Sequence, residues 1–165
     1  MSNALSNVTG DSFRITEEVL QAGIEASRTS ERLRIILPLH RSQDAPVQRM
    51  LNFFQPGTYV RPHLHSGPGA IETICVLRGA LGFVLLDETG QVTETHRLEP
   101  DSLGVIDIEP QVWHGMVALQ PDTVILEIKC GPYSAMSDKD FAPWAPEEGE
   151  PGTGDIVRQF EGAFL

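Results

Sequence analysis

A chain of 165 residues has the length of one ordinary domain, and surface scaling lets it bury roughly 70% of what its unfolded form exposes. Apolar residues make up 41% and charged residues 21%, and no apolar run approaches the roughly 20 residues of a membrane span, which excludes transmembrane, disordered and collagen-like classes. The net charge of −11 repels phosphate backbones and anionic lipid heads, so no nucleic acid and no membrane is expected as partner; small molecules or proteins remain.

Residues 1–11 read as a loose polar leader, without the basic start and apolar stretch of a signal peptide, and a cytoplasmic protein is expected. From Thr16 the pattern changes. Thr16 is a suitable N-cap, Glu17 and Glu18 favour a first turn, and Val19, Leu20 and Ile24 recur at helical spacing to about Arg28. Gly23 inside that helix costs about 1 kcal/mol relative to Ala. Residues 1–30 are thus expected to form a leader and a helix packed on a β-rich body.

Beyond Ser30 short β-type runs succeed one another to about residue 130: Leu33–Leu37, Val47–Phe54, Ile71–Arg78, Leu81–Asp87, Val92–Leu98, Leu103–Ile108, Trp113–Leu119 and Thr123–Lys129. Turn residues separate them at Arg78-Gly79, Asp87-Glu88-Thr89-Gly90, Glu99-Pro100-Asp101 and Gln120-Pro121-Asp122. The fold class is therefore all-β with a small N-terminal helix, as a sandwich or barrel over residues 31–150. Cys75 and Cys130 lie in these apolar stretches and are expected as buried free thiols. Proline and acid dominate after Lys129, and Glu147-Glu148-Gly149-Glu150 reads as a solvated run. In the tail, 151–165, Ile156, Phe160 and Phe164 recur every four residues; a terminal helix, a strand and disorder all stay open.

The chemistry concentrates in four residues. His63 and His65 alternate across Leu64 and so point to one side of an extended strand, where both can reach one ion. Glu72 shares strand parity with Ile74 and Val76, an apolar inward face on which an acid needs a cation partner. His114, after the turn Glu109–Val112, supplies a fourth ligand from the opposite side. Three imidazoles and a carboxylate suit a divalent transition metal (iron, manganese, nickel, copper or zinc) better than calcium or magnesium. An ion that takes five or six ligands keeps an open position; tetrahedral zinc would be closed. Tyr59 and Arg61 share the parity of His63 and His65, and Arg61 offers a fork for a carboxylate or phosphate. Glu127 and Lys129 share a face of the last strong strand, and Glu127 is a candidate proton-transfer group. Tyr59, Arg61 and Glu127 are thus the catalytic candidates. His40 could approach the mouth of the site, whereas His96 is expected to face solvent.

Gly57, His63, His65, Glu72 and Gly79 resemble the first motif of the cupin superfamily, with a longer loop of six residues between His65 and Glu72. The second motif is poorer. Its proline and glycine before His114 are replaced in Glu109-Pro110-Gln111, Gly104 is one residue out of register, and its late Asn is Ala118. Over roughly residues 12–149 the chain is similar to the WbuC-type cupin-fold metalloproteins, through Ala45–Asn52, Pro56–His65, Val76–Gly79, Gly131-Pro132-Tyr133 and Asp138–Pro146. The resemblance implies a cupin double-stranded β-helix, or jelly-roll barrel, binding a metal through His63, His65, Glu72 and His114. A metal-dependent enzyme on a small polar metabolite, sugar-linked or carboxylate-bearing, is expected, as oxygenase, isomerase or lyase. The alternatives are a non-catalytic metal-dependent binding or sensing module and a purely structural site. Small cupins pair through strand edges, so a homodimer is expected, with the N-terminal helix and Leu33–Leu37 covering or exchanging across an edge.

Overall fold

Alternating apolar residues along short extended runs give each strand one face to bury, and two antiparallel sheets facing each other bury those faces together. The computed structural model describes residues 3–67, 69–134 and 138–165. In chain order the elements are α1 (Glu17–Thr29), β1 (Arg34–Pro38), β2 (Val47–Phe54), β3 (His63–Leu64), β4 (Glu72–Arg78), β5 (Leu81–Leu86), β6 (Val92–Leu98), a 3-10 turn at Pro100–Ser102, β7 (Val105–Ile108), β8 (His114–Ala118), β9 (Thr123–Cys130), β10 (Asp140–Phe141) and α2 (Thr153–Gly162). One sheet has the order β1-β2-β9-β4-β7 and the other β10-β3-β8-β5-β6. Phe54, Ile74, Val76, Leu81, Phe83, Met116 and Ile125 fill the space between them.

The outer faces are covered by the helices. Thr16 caps α1, its side chain accepting from Val19 N. The apolar face of α1 then meets Leu51 and Phe53, the β2 residues that alternate away from the inter-sheet core. Gly23 lets this happen: a β-carbon there would lie 2.2 Å from the Phe53 ring. On the second sheet Val157 and Phe160 of α2 bury against Val84 and Val117, and the helix comes this close because Gly115 leaves room for the Phe160 ring. The terminal segment, open between three states from its sequence, is therefore a docked helix.

Several expectations are corrected. The N-terminal leader is an ordered arm: Ala4 bridges Ile36 in parallel, and Leu5 N and Val8 N donate to Ile36 O and Pro38 O at 2.8 and 3.2 Å. It lies on the free edge of β1 and satisfies carbonyls that an edge strand leaves unpaired. The acidic run is not simply solvated, because Glu148 accepts from Arg32 at 2.6 and 2.8 Å and from Arg34 at 2.9 Å, tying the C-terminal segment to the start of β1. Both cysteines are free, but Cys130 is exposed and Cys75 half-buried, since each alternates to the outer face of its strand. Strands β3 and β10, two residues each, are too short for periodicity to announce. His96 is half-buried beside Glu94, 3.2 Å away. No helix among the described residues is long and apolar enough to cross a membrane.

Candidate metal centre

His63, His65, Glu72 and His114 come together with one ligand atom each, all within 4.8 Å of one another, and all four side chains are buried. His63 and His114 are direct register partners on β3 and β8. His114 thus arrives from the neighbouring strand of the same sheet, and the side opposite is supplied by Glu72 at the head of β4. This corrects the expected placement of His114; Glu72 is the ligand that bridges the two sheets. Phe83 stacks on the His114 ring at 5.4 Å and fixes its plane from below.

The orientation of the rings is set by their other nitrogens. His63 Nδ1 lies 2.9 Å from Arg61 O, His114 Nδ1 2.9 Å from Val112 O, and His65 Nδ1 is bonded to Asp138 O. A carbonyl only accepts, so each Nδ1 carries the proton and each Nε2 turns a lone pair inward. Inside the cluster the Nε2 atoms of His63 and His114 are 3.2 Å apart, and Glu72 Oε2 lies 3.4 Å from His65 Nε2 and 3.5 Å from His114 Nε2. His65 Nε2 and Glu72 Oε2 are buried with no hydrogen-bond partner among the described residues. Converging, desolvated lone pairs are costly unless a cation sits among them, so the donor set fits a transition metal.

Electrostatics keeps the donors ready. Burial, then the positive charge of Lys139, holds His63 well below the usual imidazole range, and burial holds His114 down to about 4. Burial opposes ionisation of Glu72, yet the neighbouring His65 and the Lys139 charge keep its carboxyl below the usual value. Beside it Glu127 is pushed up by burial and by the Glu72 charge, so of the two carboxyls Glu127 takes a proton the more readily.

A cavity of about 400 Å³ opens on this centre, lined by Glu72 and Glu127, by the polar Asn52 and Lys129, and by the apolar Met50, Phe54, Met116 and Phe141. Asn52 Nδ2 donates to Glu127 Oε2 at 2.8 Å, and Lys129 Nζ contacts Glu127 at 3.7 Å and Asp138 at 2.7 Å. His65 lines a second cavity of about 140 Å³, and Lys129 and Asp138 border both.

Among the catalytic candidates only Glu127 stands beside the cluster. The backbone over residues 55–62 forms no strand, so the side-to-side alternation assumed for Tyr59 and Arg61 does not hold there. Tyr59 is buried against Val84 and Phe160, its hydroxyl donating to Pro146 O at 2.7 Å, and burial pushes its phenol up to about 12. Arg61 lies over the Phe141 ring at 5.1 Å and 3.6 Å from Glu147. Reading the sequence alone misses Lys139 and undervalues His40, which lines the cavity; no spacing rule links either to the histidines.

Two facing antiparallel sheets around a buried three-histidine, one-carboxylate cluster define a cupin-fold protein. Among solved structures the chain is similar to KdgF from Halomonas sp., at 21% identity and TM-score 0.50 over 64% of this chain and 85% of that one. It is also similar to the capsular polysaccharide assembling protein CapF from Staphylococcus aureus, at 17% identity and TM-score 0.56 over 68% of this chain but only 32% of that one. Such similarities establish the fold. The chain belongs to the family of the domain of unknown function DUF6016, which matches residues 15–98 and so includes His63, His65 and Glu72. No curated protein matches it.

Proposed function

We propose that this chain is a WbuC-type cupin metalloprotein acting as a metal-dependent enzyme on a small carboxylate-bearing or sugar-linked metabolite. One observation carries the reading: four buried donors converge with unmatched atoms at the wall of a cavity, and a second acid, Glu127, stands against the donor Glu72. A divalent transition metal held by His63, His65, Glu72 and His114 would supply Lewis acidity or bind dioxygen. The chain's own residues supply the rest. Asn52 and Lys129 fix the Glu127 carboxyl, which is placed to exchange a proton with whatever occupies the cavity. Met50, Phe54, Met116 and Phe141 keep water from the reacting group. The enzymatic reading is preferred over a sensor because this proton carrier is buried beside the metal ligands; a passive binding site has no use for it.

A sugar-linked substrate is in keeping with CapF, named for capsular polysaccharide assembly, whose fold this chain shares. The free cysteines suit a cytoplasmic setting. The homodimer remains part of the proposal, with its contact moved: the arm covers the β1 edge, and the opposite edge of the same sheet is β7, which begins at the exposed Val105 just after the exposed Leu103. A monodisperse monomer by light scattering at micromolar concentration would exclude it.

The test is metal content by mass spectrometry on protein purified without an affinity metal, beside the His63→Ala/His65→Ala double variant. Near-stoichiometric transition metal in the wild type and none in the variant is expected. A wild type that carries no metal and takes up none from a panel of divalent ions overturns the reading. Once a substrate is found, Glu127→Gln should retain metal and lose turnover.

A further inference from the structure

The cavity has a second polar end that the metal chemistry does not use. His40, just beyond β1, is 3% exposed and lines the same cavity as Glu72 and Glu127. Its Nε2 is buried without a partner among the described residues.

The tautomer can be assigned from the main chain. Arg49 O already accepts from Leu39 N at 2.7 Å and His40 N at 3.2 Å. In an antiparallel ladder a residue's N–H and C=O point to the same side, so Arg49 N–H also faces β1, where its acceptor is His40 Nδ1 at 3.2 Å. Arg49 O also lies 2.9 Å from Nδ1, but it is occupied by two donors. Unlike the three histidines of the cluster, His40 Nδ1 also faces a backbone donor, Arg49 N–H, which an Nδ1–H would leave unpaired; Nδ1 therefore accepts and Nε2 carries the proton. What His40 offers the cavity is an N–H donor fixed in place and lacking an acceptor, a costly arrangement that a bound oxygen would relieve.

Charge sets the class of that ligand. Lys139 lines the cavity and makes no direct ion pair among the described residues, acting on Glu72 only from a distance, whereas Lys129 is committed to Glu127 and Asp138. Between the two ends lie β2 and β9, whose inward side chains, Gln48 and Met50 from β2 and Glu127 and Lys129 from β9, form the floor. His40 and Glu72 thus sit three strand spacings apart, roughly 14 Å between main chains.

We propose that the cavity holds an elongated carboxylate-bearing molecule, with its acid head beside Lys139 and the metal centre and a second acceptor oxygen on His40 Nε2–H. The head end rests on the proposed metal function; the His40 end does not.

The probes are straight-chain dicarboxylates from malonate to suberate and the corresponding monocarboxylates, titrated calorimetrically into metal-loaded protein whose metal content is measured on the same samples. One diacid length should bind about tenfold more tightly than its monoacid, as expected for one added hydrogen bond to a charged group. In His40→Asn, whose amide can take the place of Nδ1 against Arg49, that gain should vanish with metal content unchanged. In His40→Gln, whose amide can reach the place of Nε2, it should persist. Nitrogen-15 histidine spectra of the wild type give the answer without substitution: the His40 Nε2 resonance should move with the favoured diacid and stay still with the monoacid. Diacids no tighter than monoacids, an undiminished gain in His40→Asn, or an unmoved resonance would each overturn the proposal. Absence of metal with an intact His40 effect would sink the metal reading instead.

Discussion

His63 and His114 face each other across adjacent strands as register partners, with their Nε2 atoms 3.2 Å apart. Two neutral imidazoles turning lone pairs at each other repel, and the third histidine and Glu72 join them in the same buried space. The fold thus holds in place an arrangement that a cation stabilises.

Metal should therefore raise stability by linkage. At free metal a hundred times the dissociation constant the gain is about 2.7 kcal/mol. Chelator treatment should lower the melting temperature of the wild type and leave the His63→Ala/His65→Ala variant unchanged. Equal melting curves for loaded and stripped wild type would contradict this.

The metal-free protein should lose stability in acid through these same side chains. Burial lowers His114 from 6.5 to about 4, so between those values the unfolded chain takes up a proton that the folded chain does not. Stability is then intact above about pH 6.5 and falls as pH drops towards 4, by about 3 kcal/mol at most for this residue. Urea titrations of stripped protein across that window should show the slope, and His114→Gln should reduce it while His63 supplies the remainder. A wild type whose midpoint ignores pH there would refute the assignment.

Gly23→Ala ought to destabilise although alanine is the better helix former. The propensity gain is about 1 kcal/mol, while forcing a methyl group into a filled core costs about 1–3 kcal/mol. The β-carbon would meet the fully buried Phe53 ring at 2.2 Å, so the cost lies at the upper end and the second effect wins by up to about 2 kcal/mol. A variant more stable than wild type in denaturant melts would show that the helix shifts at no cost.

Leu103→Gly has the opposite sign. Leu103 is 91% exposed with φ 59°, so it contributes little packing and holds a left-handed backbone that costs an L-residue roughly 1–2 kcal/mol. Glycine removes that strain, and its unfolded-state entropy returns about 0.4–1 kcal/mol of it. The expected change is neutral to about 1 kcal/mol stabilising; a loss beyond 1 kcal/mol would mean that the side chain packs on a partner.

Where the chain pairs in regular ladders, residue parity was sufficient: Glu72, Ile74 and Val76 all turn inward as their alternation requires. The same rule failed at Tyr59 and Arg61 because Pro56, Gly57 and Pro62 keep that stretch out of any ladder. The poor second cupin motif has a parallel explanation. Leu103 and Gln111 stand where the motif has glycine, yet both keep positive φ, 59° and 67°, so the backbone path survives where the letters do not. Gln111 N donates to His65 O at 2.9 Å, which binds that turn directly to the histidine strand. The arm at Ala4–Val8 and the bridging role of Glu148 depend on contacts distant in sequence, which composition could not reveal.

The three imidazoles owe their orientation to carbonyls of Arg61, Val112 and Asp138, none of them side-chain atoms. Every amino acid carries that oxygen, so replacing any of the three residues leaves the acceptor in place provided the chain keeps its course. The aim of the ligands is in this sense error-tolerant: a point substitution at a supporting position leaves the imidazole's acceptor in place even where it costs a side-chain contact, and misaiming comes from changes that bend the backbone, such as insertions in the turns before His63 and His114.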